Sequence, residues 1–207
     1  VKAPKADLTR LVVNQSSRGG VRPKIIVLHT TEGHNRPGVG DLADLAAFFD
    51  RSSTEASSHI ANDAEGHDCR MVPDNRKAWT QAELNPPALS IEQIGFAAQG
   101  KGDWFEDAPH QLANTARWIA WWSKKYGIPI QRGITSGTTI LKPGVCSHKQ
   151  LGIAGGGHVD PGTAYPFEYV LDLARVFATR RGSKAHKAAL ADVNRVRRHF
   201  GLKPIND

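Results

Sequence analysis

The sequence predicts an α/β fold: one domain with a central mixed β-sheet flanked by helices, followed by a C-terminal helical extension. Two observations carry this expectation. Short apolar runs bounded by turn residues interleave with longer segments of helical period, the pattern of strands and helices that share one sheet. Two of the runs also end on a histidine, at His29 and at His148, so strands leaving the core deliver polar side chains toward one edge. A chain of 207 residues fits one domain of ordinary size with a small appendage.

Taken in order, residues 1–23 are polar and rich in Gly and Pro apart from Leu11-Val12-Val13, and read as an arm draped on the domain. Lys24-Ile25-Ile26-Val27-Leu28-His29 is bounded by Pro23 and by Thr30-Thr31-Glu32-Gly33, the signature of a buried central strand. After a loop to Gly40, Leu42, Leu45, Ala46 and Phe49 recur at helical spacing, with Asp41 as the expected N-cap. Ser57–Asn62 and Cys69–Val72 flank Asp63-Ala64-Glu65-Gly66, a hairpin. Leu89–Phe96 alternates as a strand. Residues 108–126 form the longest helical pattern, with Leu112, Thr115, Ile119, Trp122 and Tyr126 on one face; Trp118 and Trp121 read as packing residues. Residues 131–145 suggest a short hairpin, Gly144–His148 a strand, and 167–178 a helix. Residues 180–185 read as a linker and 186–200 as a basic amphipathic helix. The division expected is a domain at 1–181, with its core at 22–178, and a basic helical tail or linker at 182–207.

Composition narrows the function only a little. The net charge of +7 favours an anionic partner such as nucleic acid, acidic lipid or an anionic wall polymer. From Arg175 to Lys203, however, nine Lys/Arg residues face one acid, Asp192, so the body of the domain is closer to neutral. No apolar run approaches the roughly 18–20 residues that span a bilayer. Val1-Lys2-Ala3-Pro4-Lys5 shows no apolar signal segment and no initiator Met, so the chain reads as processed or cut from something longer. Cys69 and Cys146 are too few for a disulfide framework, and two buried thiols are expected, with a single disulfide as the alternative.

The chemistry lies at strand ends. A lone histidine such as His29 is more often a hydrogen-bonded structural residue than a ligand. His29 and His148 together with Asp160, in His158-Val159-Asp160-Pro161-Gly162, make a set of two imidazoles and a carboxylate. Three such ligands leave a coordination position open on zinc, the catalytic arrangement.

Several fragments in consistent order, over roughly residues 22–178, resemble the type 2 N-acetylmuramoyl-L-alanine amidases. That family is shared by phage lysozyme-like amidases, bacterial cytosolic muropeptide amidases and peptidoglycan recognition proteins. The fragments are Ile26–Gly33, Ser57-Ser58-His59-Ile60, Asp68–Asp74, Ala78-Trp79, Ser90-Ile91-Glu92, Ser147-His148 and Asp160-Pro161-Gly162. The resemblance implies that His29, His148 and Asp160 hold Zn2+, although some members carry Cys at the third position. It places Glu92 where bacterial members have a catalytic Glu, and His158 where several have a Lys that would steady an oxyanion. Ser58 stands where other members have a Tyr, which shifts the catalytic weight to Glu92. Thr30, His59 and Trp79 are the implied substrate-side residues, with the 36–40 loop and Asn85-Pro86-Pro87 as further groove walls. Cys146, two residues before His148, is read as a buried structural thiol. His34, His67, His110, His186 and His199 fall in polar or surface contexts and receive no role.

The implied activity is hydrolysis of the amide between N-acetylmuramic acid and the L-alanine of the stem peptide, in a phage lysin held in the host cytoplasm until lysis. The partner is bacterial peptidoglycan, with a separate C-terminal wall-binding module a further expectation; a monomer with no membrane or nucleic-acid partner is expected. Two other classes compete. A non-catalytic peptidoglycan binder of the same fold would typically lack a full ligand set. A nucleic-acid-binding domain, suggested by the basic 186–200 helix, would show steep salt dependence on DNA.

Overall fold

The computed structural model describes residues 1–206. Its strands, in chain order, are β1 (Leu8–Thr9), β2 (Gln15–Ser17), β3 (Ile25–Thr30), β4 (Ile60–Asn62), β5 (Asp68–Arg70), β6 (Arg76–Ala78), β7 (Ala88–Gln93), β8 (Ile134–Ser136), β9 (Thr139–Lys142) and β10 (Gly144–Ser147). The helices are α1 (Gly40–Phe49), α2 (Lys101–Glu106), α3 (Pro109–Tyr126), α4 (Phe167–Ala178) and α5 (Lys184–His199). Six strands form one mixed sheet in the order β1-β5-β4-β7-β3-β10. Only the β4–β5 pairing is antiparallel, so β4, β7, β3 and β10 run the same way and end at one edge.

Side-chain alternation along the strands sorts the two faces. Ile26 and Leu28 of β3, with Leu89 and Ile91 of β7, pack into the core made with α2, α3, α4 and α5, where Trp104, Trp118 and Trp122 are buried. The opposite parity, Ile25 and Val27 with Ala88, packs with Leu84, Cys146 and Leu151. His29 and Glu92 continue this second parity and come into register as Cα partners on adjacent strands. The strand order thus sets both residues on one face, at the carboxyl ends of parallel strands.

The structure departs from the sequence expectations in several places. The N-terminal arm is structural: β1 adds to the sheet edge beside β5, and β2 pairs with β6. Neither strand has the apolar run that marks a buried strand, because both sit at edges. Asp41 does not cap α1, whose N-cap is Val39 without a side-chain bond. Its carboxylate instead accepts from the Arg36 backbone N–H at 2.7 Å and from Arg36 Nε at 2.6 Å. β7 is buried along its whole length rather than half-exposed, because strands flank it on both sides. His186 is buried rather than on the surface, with Nδ1 3.2 Å from the Val176 carbonyl. As expected, both cysteines are free, buried thiols. The stretch after residue 182 forms α5, which buries Ala189, Leu190 and Val193 in the same core as α4, while Phe200 stacks on Phe105 with ring centroids 4.1 Å apart. No helix among the described residues is long and apolar enough to cross a membrane.

Candidate active site

β3 delivers His29, β10 ends immediately before His148, and the loop after it returns Asp160 to the same point. His29 Nδ1 and His148 Nδ1 lie 3.0 Å apart. Asp160 Oδ2 is 3.3 Å from His29 Nδ1, and Asp160 Oδ1 is 3.0 Å from His148 Nδ1. The Asp160 loop is tied down by Lys149 N–H donating to the Asp160 carbonyl at 3.0 Å, and by Thr30 N–H donating to Asp160 Oδ2 at 3.3 Å. All three side chains are buried.

This donor set fits a metal cation. Ligand atoms around a tetrahedral ion with bonds of about 2.0–2.1 Å stand roughly 3.3–3.4 Å apart, close to the separations here. Tautomer chemistry points the same way. His148 Nε2 is 2.7 Å from the Gly155 carbonyl, which can only accept, so this nitrogen carries the ring proton. In the neutral ring that leaves a bare lone pair on Nδ1, facing the lone pairs of Asp160 and His29, a repulsion that a cation among them relieves. Burial lowers the pKa of His29 to about 4 against the pull of Asp160, so its ring is neutral and able to ligate. Burial would raise the Asp160 carboxyl, but the His148 and His29 rings against it hold it well below the usual carboxylate range.

Glu92 lies on the neighbouring strand, in register with His29. Burial first, then the negative charges of Asp160 and Glu32, push its carboxyl up to about 8, and its Oε2 is buried with no partner. His29, Glu92, His148, His158 and Asp160 share a cavity of about 370 Å³ whose walls include Thr30, Phe48 and Trp79. A neighbouring cavity of about 790 Å³ shares Thr31, Leu45 and Phe48 with it and includes Arg36 and Pro37, so the two run together as a groove. His158 is exposed and stacks on His148 with centroids 4.4 Å apart.

Two of the sequence-predicted positions lie elsewhere. His59 is fully buried and lines neither cavity; its ring contacts Arg18, Ser90 and Trp122, so no substrate can reach it. Asn85-Pro86-Pro87 lines neither cavity either, because the Asn85 side chain is turned inward to accept from Thr80 and Gln81 N–H. Cys146 packs with Ile25 and Val27, and burial pushes its thiol up to about 12, so it offers no thiolate to the site. Residues without a sequence-level assignment complete the site. Phe48 forms an exposed aromatic wall, and Glu32 accepts from Thr30 Oγ1 at 2.7 Å and Ala97 N–H at 2.8 Å, bracing two loops. Phe48 could have been found as the apolar residue lying off the buried stripe of α1.

The sequence profile of the N-acetylmuramoyl-L-alanine amidase family matches residues 19–163. The chain belongs to that family. Solved structures agree with the amidase in fold. Staphylococcus aureus hydrolase AmiA in complex with its ligand superposes with a TM-score of 0.60 at 18% identity, covering 99% of this chain and 90% of that one. N-acetylmuramoyl-L-alanine amidase LysC from Clostridium intestinale URNW gives 0.56 at 17%, covering 81% and 95%. Drosophila PGRP-LB gives 0.51 at 15%, covering 70% and 83%. A search of curated proteins found no match. As an amidase, the chain has a site that combines a metal-competent His-His-Asp set with a buried carboxyl, in one cavity.

Proposed function

We propose that the amidase is zinc-dependent and cleaves the amide joining the lactyl group of N-acetylmuramic acid to the L-alanine of the peptidoglycan stem peptide. The observation that carries this reading is the convergence of His29 Nδ1, His148 Nδ1 and Asp160 within 3.0–3.3 Å, with Glu92 in register beside His29. Bound by these three residues, zinc supplies Lewis acidity toward a carbonyl or a water. Glu92 Oε2, unpartnered at the cavity floor, takes the proton of the attacking water and hands it to the leaving amine of L-alanine. His158, at the cavity mouth and stacked on His148, donates to the carbonyl oxygen as it gains charge. Thr30 and Trp79 hold the substrate from the walls. The basic surface and the bacterial-wall substrate suit a phage lysin, kept in the host cytoplasm until lysis and acting with a further wall-binding module.

Digestion of purified peptidoglycan tests this. The wild-type protein is expected to contain zinc and to release new N-terminal L-alanine. Glu92→Ala should lose about 10²–10⁴-fold in rate while still binding zinc, and Asp160→Ala should lose both zinc and activity. New reducing sugar ends in place of new amino termini, or full activity in Asp160→Ala, would overturn the reading. Binding of peptidoglycan with no cleavage would favour the non-catalytic alternative.

A further inference from the structure

We propose that the outward face of α5 is a docking surface for a phosphodiester-linked polyanion of the bacterial wall, which holds the amidase beside its substrate. The choice of a wall polymer rests on the peptidoglycan reading above.

α5 divides lengthwise. At about 100° per residue, Ala189, Leu190 and Val193 fall on one side of the helix and are buried in the core shared with α4. Lys184, Lys187, Ala191, Arg195 and Arg198 follow one another along the other side, and all five are exposed. The four cations make two pairs, each about one turn long, spread over roughly 21 Å of helix axis. Among the described residues, Lys184, Lys187 and Arg198 form no ion pair, and Arg195 meets only Asp192, at 3.0 Å. That pair lies at the surface and offsets little of the charge. Like charges three or four residues apart repel one another along a helix, and a bound polyanion relieves the repulsion.

Two observations select the class of partner. No large apolar side chain of α5 is exposed, so the helix has nothing to sink into a bilayer interface. Asn194, beside the basic stripe, has both amide atoms bonded to Ile205, at 2.8 Å each, and so cannot read a base edge. What remains is a line of positive charge that a flexible chain of phosphates matches. The stripe also leaves the catalytic groove free. α5 packs into the core of Ile26 and Leu28, whereas His29 and Glu92 belong to the opposite face of the sheet, so polymer and substrate occupy different surfaces.

Cosedimentation tests this with two wall preparations, native walls that carry a phosphodiester polymer and the same walls stripped of it by hydrofluoric acid. Wild type should bind native walls about 10-fold or more tightly than stripped ones, and that affinity should fall about 10–100-fold between about 50 and 200 mM salt. A variant combining Lys184→Gln, Lys187→Gln, Arg195→Gln and Arg198→Gln should lose this preference while keeping the wild-type Tm and the wild-type rate on a soluble muropeptide. Three results would each overturn the inference. The variant could bind native walls as tightly as wild type. Wild type could bind both preparations equally. Wild type could bind duplex DNA, or vesicles of anionic phospholipid, more tightly than native walls at the same salt. Release of no new N-terminal L-alanine from stripped walls would instead overturn the peptidoglycan reading.

Discussion

Arg18 Nη2 donates to His59 Nε2 at 2.7 Å, beneath the sheet face that carries the active site. The same guanidinium donates to the carbonyls of Asp74 at 2.9 Å, Pro86 at 2.6 Å and Ala88 at 2.8 Å. His59 Nε2 also lies 3.1 Å from the Arg76 carbonyl, while Nδ1 accepts from the Ser90 backbone N–H at 3.1 Å and lies 2.9 Å from Ser90 Oγ. His59 is a buried structural histidine that ties the N-terminal arm to β7.

This arrangement gives a stability signature in pH. Burial, then the charge of Arg18, lowers the His59 pKa to about 3, whereas an unfolded His titrates near 6.5. Below about pH 6.5 the unfolded chain takes up a proton that the folded one refuses, so the His59 contribution is complete above that pH and is lost progressively toward pH 3. The limiting slope is about 1.4 kcal/mol per pH unit. His29 acts in the same direction in the zinc-free protein, and the raised carboxyl of Glu92 in the opposite one. The informative quantity is therefore the difference between wild type and His59→Gln. Urea midpoints from pH 7 to pH 4.5 should fall more steeply in wild type. Parallel curves would mean that His59 is protonated in the fold.

What the sequence revealed and what it hid follow from the range of the interactions. β3 with His29 at its tip, α3 and α4 declare themselves because each is a continuous apolar pattern of one period. His29, Glu92, His148 and Asp160 were legible through the order of their motifs, and the parallel strands explain why distant motifs meet. Arg18 was not legible. Between Ser17 and Gly19 it looks like any polar arm residue, and its four partners come from three remote segments. His59 was misplaced for a related reason: a histidine in a strand beside the site shows its neighbours only once the sheet is assembled.

Gly162 sets the height of the loop that carries Asp160. Its φ is +85°, and a Cβ at this position would overlap the Ala97 carbonyl oxygen. Ala97 is in turn bonded to Glu32, and Glu32 to Thr30, next to His29. Gly162→Ala combines a strained conformation, costing about 1–3 kcal/mol, with a displaced ligand loop. Thermal unfolding should show the loss of stability, and zinc affinity should fall in the same variant. Retention of both would show that the loop relaxes without moving Asp160.

α5 should behave as part of the core rather than as a linker. Leu190 is 8% exposed and Val193 fully buried against the same cluster as α4. Leu190→Ala is expected to cost about 2–4 kcal/mol, within the range for buried Leu→Ala changes. For a chain of this size each kcal/mol lowers Tm by about 2–4 °C. A detached helix would give an unchanged Tm, and Phe200→Ala, which removes the ring stacked on Phe105, provides an independent second reading.

Zinc should stabilise the fold by mass action through one site. A ligand that binds only the native state adds about 2.7 kcal/mol at 100 times its dissociation constant, or roughly 5–10 °C in Tm for a domain of this size. The rise should be reversed by a chelator and absent in Asp160→Ala. A second group, Asp63, Glu65 and His67, lies in the β4–β5 turn and serves as the control. There both Asp63 oxygens are already engaged, by His67 N–H at 2.8 Å and by its ring at 3.0 Å. Glu65→Ala should therefore retain the full zinc-dependent rise. Loss of the rise in Glu65→Ala, with retention in Asp160→Ala, would move the stabilising ion away from the groove and separate metal binding from the active site.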